Sequence, residues 1–231
     1  MKMAAPYALL INPNSSHTTS EMMLDIARRV ADGRVNMEVA TATRNPTMIV
    51  TYEQLQASAK QVIEIATESA SQCVGVIVSA FGDPGAATLK QNLSVPVIGI
   101  CEASMLEASR GGRKFAVATV TPDLIEAIDR RAHQLGLSEL FMGTYCTAGD
   151  PEILANDPSR LPQELGKTVR ICIDAGAEAV IIGGGPLGQA AETLQPMFEI
   201  PIIAPISSAV QQLINMLNDS KSFSRAYKNN N

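Results

Sequence analysis

Three stretches of this chain hold residues that could do chemistry on a small molecule. In Phe81-Gly82-Asp83-Pro84-Gly85 the Asp83 carboxylate stands at the start of an expected helix, where the dipole favours negative charge. With Glu102, which follows the next strand, it is a candidate general base. A plain helix cap uses the same residue, and Asp83 alone does not decide between the two roles. Asn12-Pro13-Asn14-Ser15-Ser16 is a turn before a helix, and its N–H groups and short side chains suit a carboxylate or amide oxygen. A cap accounts for those residues too. Gly183-Gly184-Gly185-Pro186-Leu187-Gly188 fits G-x-G-x-x-G, but it lies late in the chain and Pro186 interrupts it. The strand after it ends in Ala204-Pro205, without the acidic residue a dinucleotide site needs. A cradle for a small substrate's oxygen atoms fits better. No Walker lysine is present, so nucleotide hydrolysis has no support.

The elements that must position these stretches repeat. Val74 to Val78 is an apolar, β-branched run that reads as a buried strand opening onto a helix start. Ala179 to Gly188, AVIIGGGPLG, repeats the pattern. Each copy leads to a short helical run and an apolar strand entered through proline, Val95-Pro96-Val97-Ile98-Gly99 and Ile200-Pro201-Ile202-Ile203-Ala204. The starts match as well: Tyr7 to Asn14 resembles Phe115 to Pro122, and Thr119 and Thr121 are read as the second half's counterparts of Asn12 and Asn14. Strands alternating with helices predict an α/β fold of two pseudo-symmetric halves, each with a parallel sheet, facing one another across a cleft. Ligands in such sheets sit at the carboxyl ends of the strands. The expected boundaries are residues 1–100 for the first half, 101–204 for the second, a closing helix over about 205–220 that returns to the first half, and a polar tail over 221–231. Helices are expected from Ser16–Thr18 to Ala31, over Tyr52–Ser69 under a Thr51 cap, from Thr121 through Leu135, and over Ala209–Leu217. Gly149 to Pro162 holds three prolines and reads as a loop or lid.

Composition narrows the class. The 231 residues are 46% hydrophobic, enough for a sizeable core. A net charge of −5 and the lack of a basic cluster argue against nucleic acid. Cys73, Cys101, Cys146 and Cys172 are scattered, and with only His17 and His133 beside them no metal site is expected. Unpaired thiols suit a reduced, cytoplasmic protein. The run from Ala4 to Ile11 stops at Asn12-Pro13-Asn14 without a cleavage pattern and reads as the first strand, and no segment has the apolar length of a membrane span. The expected partners are a small-molecule substrate and further copies of the chain in a homo-oligomer.

Taken together, Ile11-Asn12-Pro13-Asn14-Ser15, Phe81-Gly82-Asp83-Pro84-Gly85, Val97-Ile98-Gly99-Ile100-Cys101-Glu102-Ala103 and the glycine turn after Val180-Ile181-Ile182 resemble the aspartate/glutamate/hydantoin racemase superfamily, most closely its hydantoin and allantoin racemase branch. The resemblance spans nearly the whole chain. It implies two Rossmann-like, flavodoxin-like halves, no cofactor, and a small carboxylate or cyclic amide as substrate. It also implies a pair of cysteines, one thiolate taking a proton from carbon and the opposite thiol returning one. Those positions here are Ala80 and Gly184, and neither can carry a proton. What carries over is the binding apparatus, Asn12, Asn14, Ser15, Thr119, Thr121 and the glycine turn of Gly183, Gly184 and Gly185; Ala80 and Phe81, at the end of a matched strand, complete the expected lining of the cleft. The expected chemistry is hydrolysis of a cyclic amide, with Asp83 or Glu102 as base and the Gly183–Gly185 N–H groups on the oxyanion. Ser79 and Ser207 are candidate hydroxyls, although strand alternation turns Ser79 away from the face of Ala80. The alternatives are racemisation or isomerisation by non-thiol groups, and binding without catalysis.

Overall fold

The computed structural model describes residues 6–229, with side chains through residue 219. Strand β1 (Tyr7–Asn12) is followed by α1 (His17–Ala31), β2 (Asn36–Thr41), α2 (Tyr52–Ser69), β3 (Cys73–Val78), α3 (Ala86–Asn92) and β4 (Val97–Gly99). Helix α4 (Ile100–Ala108) starts directly after β4 and carries the chain to β5 (Phe115–Thr119), α5 (Ile125–Gln134), β6 (Phe141–Cys146), α6 (Pro151–Ala155), α7 (Arg160–Asp174), β7 (Ala179–Ile182), α8 (Gly188–Leu194) and β8 (Ile202–Ile203). Helix α9 (Pro205–Asn229) closes the chain. Among the described residues there are two four-stranded sheets, in the orders β2-β1-β3-β4 and β6-β5-β7-β8, and every strand pair in them is parallel.

The repeat extends to single hydrogen bonds. Ser79 N–H donates to the Ile11 carbonyl at 2.9 Å and Gly183 N–H to that of Ala118 at 2.8 Å. Ala42 donates to Asn12 as Thr147 donates to Thr119, each at 2.9 Å. The carbonyl of Pro96 accepts from Val76, and that of Pro201 from Val180. These bonds make Ala80 and Gly184 equivalent, and likewise Asn12 and Thr119.

Alternation along the strands sorts the core into layers. Leu9, Ile11, Val76 and Val78 face outward to Val62, Ala66 and Leu89 of α2 and α3. Ala116, Ala118, Val180 and Ile182 face outward to Leu165, Val169, Ala191 and Leu194 of α7 and α8. The inward faces of both sheets, Leu10 and Ile77 from one and Val117 and Ile181 from the other, belong to one cluster with Met23 and Ile26 of α1, Met105 of α4, Ile128 of α5 and Val210 and Leu213 of α9. Strands buried on both faces explain why the sequence shows continuous apolar runs.

Local chemistry sets the helix ends. The Ser16 hydroxyl accepts from Thr19 N–H at the start of α1, and Thr51 with Gln54 forms a capping box on α2. Three sequence-based boundaries move. The fourth strand, expected from Val95, is only Val97–Gly99, and α4 follows it directly from Ile100. The lid contains a helix, α6, capped by Asp150 with Pro151 in its first turn. The last helix starts at Pro205 and runs to Asn229, through most of the span read as a polar tail; Asn230 and Asn231 lie outside the described residues. No helix among the described residues is long and apolar enough to cross a membrane.

Candidate active site

The loops after β1, β3, β5 and β7 meet over a cavity of about 490 Å³ including its mouth. The first half contributes Asn14, Met48, Ile49, Leu55, Ser79, Ala80 and Phe81; the second contributes Val120, Thr121, Leu124 and Gly183 through Leu187. Ala80 and Gly184, the equivalent positions of the two halves, thus line one pocket. The loops are pressed together. A Cβ on Gly185 would lie 2.8 Å from the Ser79 carbonyl oxygen and 2.8 Å from Met23 Sδ, and one on Gly183 would lie 3.3 Å from the Phe81 ring. That contact, rather than a dinucleotide phosphate, accounts for glycine at these positions.

Hydrogen-bond bookkeeping fixes what each polar group offers a ligand. Asn14 Oδ1 accepts from Asn12 Nδ2 and from Ser16 N–H, both at 2.9 Å. Its own Nδ2 amide is therefore the group left for the pocket, a donor. Asn12 is fully buried beneath it and also donates to the Ser16 carbonyl and to Ser20 Oγ. Thr119 Oγ1 donates to the Gly183 carbonyl at 2.8 Å, so Thr121 Oγ1, 3.1 Å away, donates to Thr119. Thr121 turns its lone pairs outward and acts as an acceptor. The N–H groups of Ala80, Phe81, Gly184 and Gly185 have no acceptor among the described residues.

The predicted site residues divide in two. Asn14, Ala80, Phe81, Thr121, Gly183, Gly184 and Gly185 line the pocket, whereas Asn12 and Thr119 brace it from behind. Ser15 is spent holding the turn, its N–H donating to the Pro46 carbonyl at 3.0 Å. Asp83 and Glu102 do not line the pocket. Asp83 does cap a helix, but not the one its sequence position suggests. Helix α3 starts at Ala86 with Gly85 before it, whereas the Asp83 carboxylate accepts from the N–H groups of Cys101 and Glu102, both at 2.8 Å, in the first turn of α4. Arg131 Nε of α5 lies 3.4 Å away. Gly99 leaves room for that carboxylate, since a Cβ there would come within 2.1 Å of its carbon. Burial lifts the Asp83 carboxyl from 3.8 to about 6, against the opposing pull of the two N–H groups and Arg131. Glu102 is held by Lys90 at 2.6 Å and by Arg131.

The cysteines stand apart from the pocket as well. Cys101 is fully buried in α4, where burial and then the Asp83 charge push its thiol well above the ordinary range. Burial also raises Cys73 and Cys146, and takes Cys172 to about 12. Ser207 lies on α9 and does not line the pocket.

Ser79 does reach the pocket, contrary to the alternation argument. Strand β3 ends at Val78, and beyond it the backbone bends so that Ser79 and Ala80 both face the cavity. The apolar wall of Met48, Ile49, Leu55, Leu124 and Leu187 is not signalled by any motif. Position in the fold could have indicated part of it: Met48 and Ile49 follow β2, whose carboxyl end opens on the same edge as those of β1 and β3.

Comparison with known proteins agrees with this architecture. A hydantoin racemase of Rhizobium meliloti is 27% identical over 209 residues, covering 87% of this chain and 85% of that protein. An allantoin racemase structure from Klebsiella pneumoniae superposes with a TM-score of 0.85 at 25% identity, covering 94% of this chain and 89% of that one. A glutamate racemase structure from Bacillus anthracis shares the fold at a TM-score of 0.68 and 14% identity, covering 93% of this chain and 82% of that one. The family model described as Asp/Glu/Hydantoin racemase matches residues 9–213, nearly the whole of both halves, and the chain belongs to that family.

Proposed function

We propose that this chain is a cofactor-independent enzyme that binds a small, neutral cyclic amide of the hydantoin class between its halves and exchanges the proton on the ring carbon beside a carbonyl. One observation carries the reading: among the described residues no charged side chain lines the pocket, while donors and acceptors both do. A free amino acid would bring an ammonium and one or two carboxylates into that space, and buried charges need partners. A cyclic amide brings carbonyl oxygens for Asn14 and the free N–H groups, and a ring N–H for Thr121. The similarity to hydantoin and allantoin racemases points to the same ligand class.

The N–H groups of Gly184 and Gly185 would take up the charge that develops on the carbonyl oxygen as the neighbouring carbon loses its proton. Ala80 and Gly184 leave space where a proton-carrying side chain would otherwise stand; a hydroxide ion admitted on one face would take the carbon's proton to become water, and a water molecule on the opposite face would return a proton and leave hydroxide. Ring hydrolysis loses the base once assigned to it, because Asp83 and Glu102 are engaged at the foot of α4. The test is one enantiomer of 5-methylhydantoin in D₂O, followed by NMR and optical rotation. Deuterium uptake at C5 with loss of optical activity, faster than in buffer, is the expected result. A ring-opened product would overturn the proposal in favour of hydrolysis. Thermal stabilisation by the compound with neither reaction would overturn it in favour of a binding protein.

A further inference from the structure

Resting on that reading of the pocket, we infer that Ser79 is a ligand-binding residue whose hydroxyl donates to a carbonyl oxygen of the bound cyclic amide. Its side chain is almost wholly buried, 2% exposed, and lines the cavity beside Ala80. Its Oγ has no hydrogen-bond partner among the described residues. A buried hydroxyl without a partner is costly in a folded protein and calls for an explanation. Its own backbone does not relieve it. Ser79 N–H is taken by the Ile11 carbonyl, and its own carbonyl faces Gly185 across the seam between the halves. The residue's backbone is held from both sides, so the place from which its hydroxyl extends is set before any ligand arrives. Its counterpart in the second half is Gly183, which has no side chain and whose carbonyl is occupied by Thr119. The hydroxyl is therefore a one-sided addition to a symmetric pocket. It marks the side on which the ligand carbonyl lies and orients a flat ring that could otherwise bind in two ways.

Ser79→Ala makes two opposite demands that a structural serine would not meet. Without ligand, the variant should melt about 2–4 °C higher than the native protein, because an unpaired buried hydroxyl has gone. With 5-methylhydantoin, measured by calorimetry, it should bind about tenfold more weakly, and the loss should appear in KM more than in kcat if exchange is followed. Ser79→Cys, slightly larger and with a weaker donor, should fall between the two in affinity. Equal affinity of native protein and Ser79→Ala would overturn the inference while leaving the proposed function standing. So would a fall of several degrees in the unliganded melting temperature, which would reveal a structural partner. If the native protein binds no 5-methylhydantoin, the functional reading falls and this inference falls with it.

Discussion

Asp83→Asn separates a helix cap from a catalytic base, and the structure sets the size of the effect. The substitution keeps the volume but leaves one acceptor oxygen for two N–H groups that each sit 2.8 Å from the native carboxylate. The N–H that meets the new amide loses its partner, at about 1–3 kcal/mol. Against this, the substitution removes the burial penalty that lifts the carboxyl from 3.8 to about 6. A folded-state value above the unfolded one means that the native chain is favoured by protonation. Its contribution is fully present below about 3.8 and is lost as pH rises through about 6, on the order of 3 kcal/mol in all. The two effects nearly cancel at pH 7, where native and variant should agree within about 2 kcal/mol. Near pH 4 only the lost hydrogen bond remains, and the variant should be weaker by about 1–3 kcal/mol, or roughly 2–12 °C in melting temperature. Urea unfolding from pH 4 to 7.5 measures this, with proton exchange on 5-methylhydantoin assayed at pH 7. Two results would refute the reasoning. One is a pH–stability profile identical to that of the native protein. The other is a folded variant whose exchange drops by about a hundredfold or more, which would return Asp83 to the chemistry.

Other substitutions probe the pocket more directly. Gly185→Ala would place a methyl group 2.8 Å from the Ser79 carbonyl oxygen and from Met23 Sδ. Calorimetric melting should show a loss of about 1–3 kcal/mol, and exchange should fall because the loops are forced apart; an unchanged melting point and rate would contradict the seam. Replacing Cys73, Cys101, Cys146 and Cys172 by alanine or serine should leave exchange intact, since none of them lines the pocket. Loss of exchange in a folded Cys101→Ala protein would bring a thiol mechanism back.

What could be read in advance followed from local order. Buried parallel strands announce themselves as apolar runs, and the proline-entered strands and matching turns showed the repeat. Ser16 and Thr51 cap the helices that follow them at once, so their roles were legible. Asp83 was misread because its partners, Cys101 and Glu102, lie one strand further along and meet it only in three dimensions. Ser79 was misread because its direction was judged against Ala80; counted from Ile77, which faces the other half, alternation puts Ser79 on the inward side, and Ala80 joins it only because β3 stops at Val78. Met48, Ile49 and Leu124 were missed because an apolar wall has no signature apart from the fold that gathers it.

The shared layer between the sheets bears on how such a molecule holds together and lets its ligand in. A chain made of two similar halves could in principle come apart along its seam, each part melting at its own temperature and swinging open like a clamshell. Here the seam is the largest core cluster, and helices from both halves are embedded in it. Separating the halves would strip α1, α4 and α9 of their apolar cover, so the chain should unfold in one transition. For the same reason a wide hinge opening between the halves would expose that layer and be costly. Traffic must pass through the rim, where Met48 and Pro186 border both the pocket and an open polar groove under α6. The pace of exchange with solvent is thereby handed to a few short surface segments.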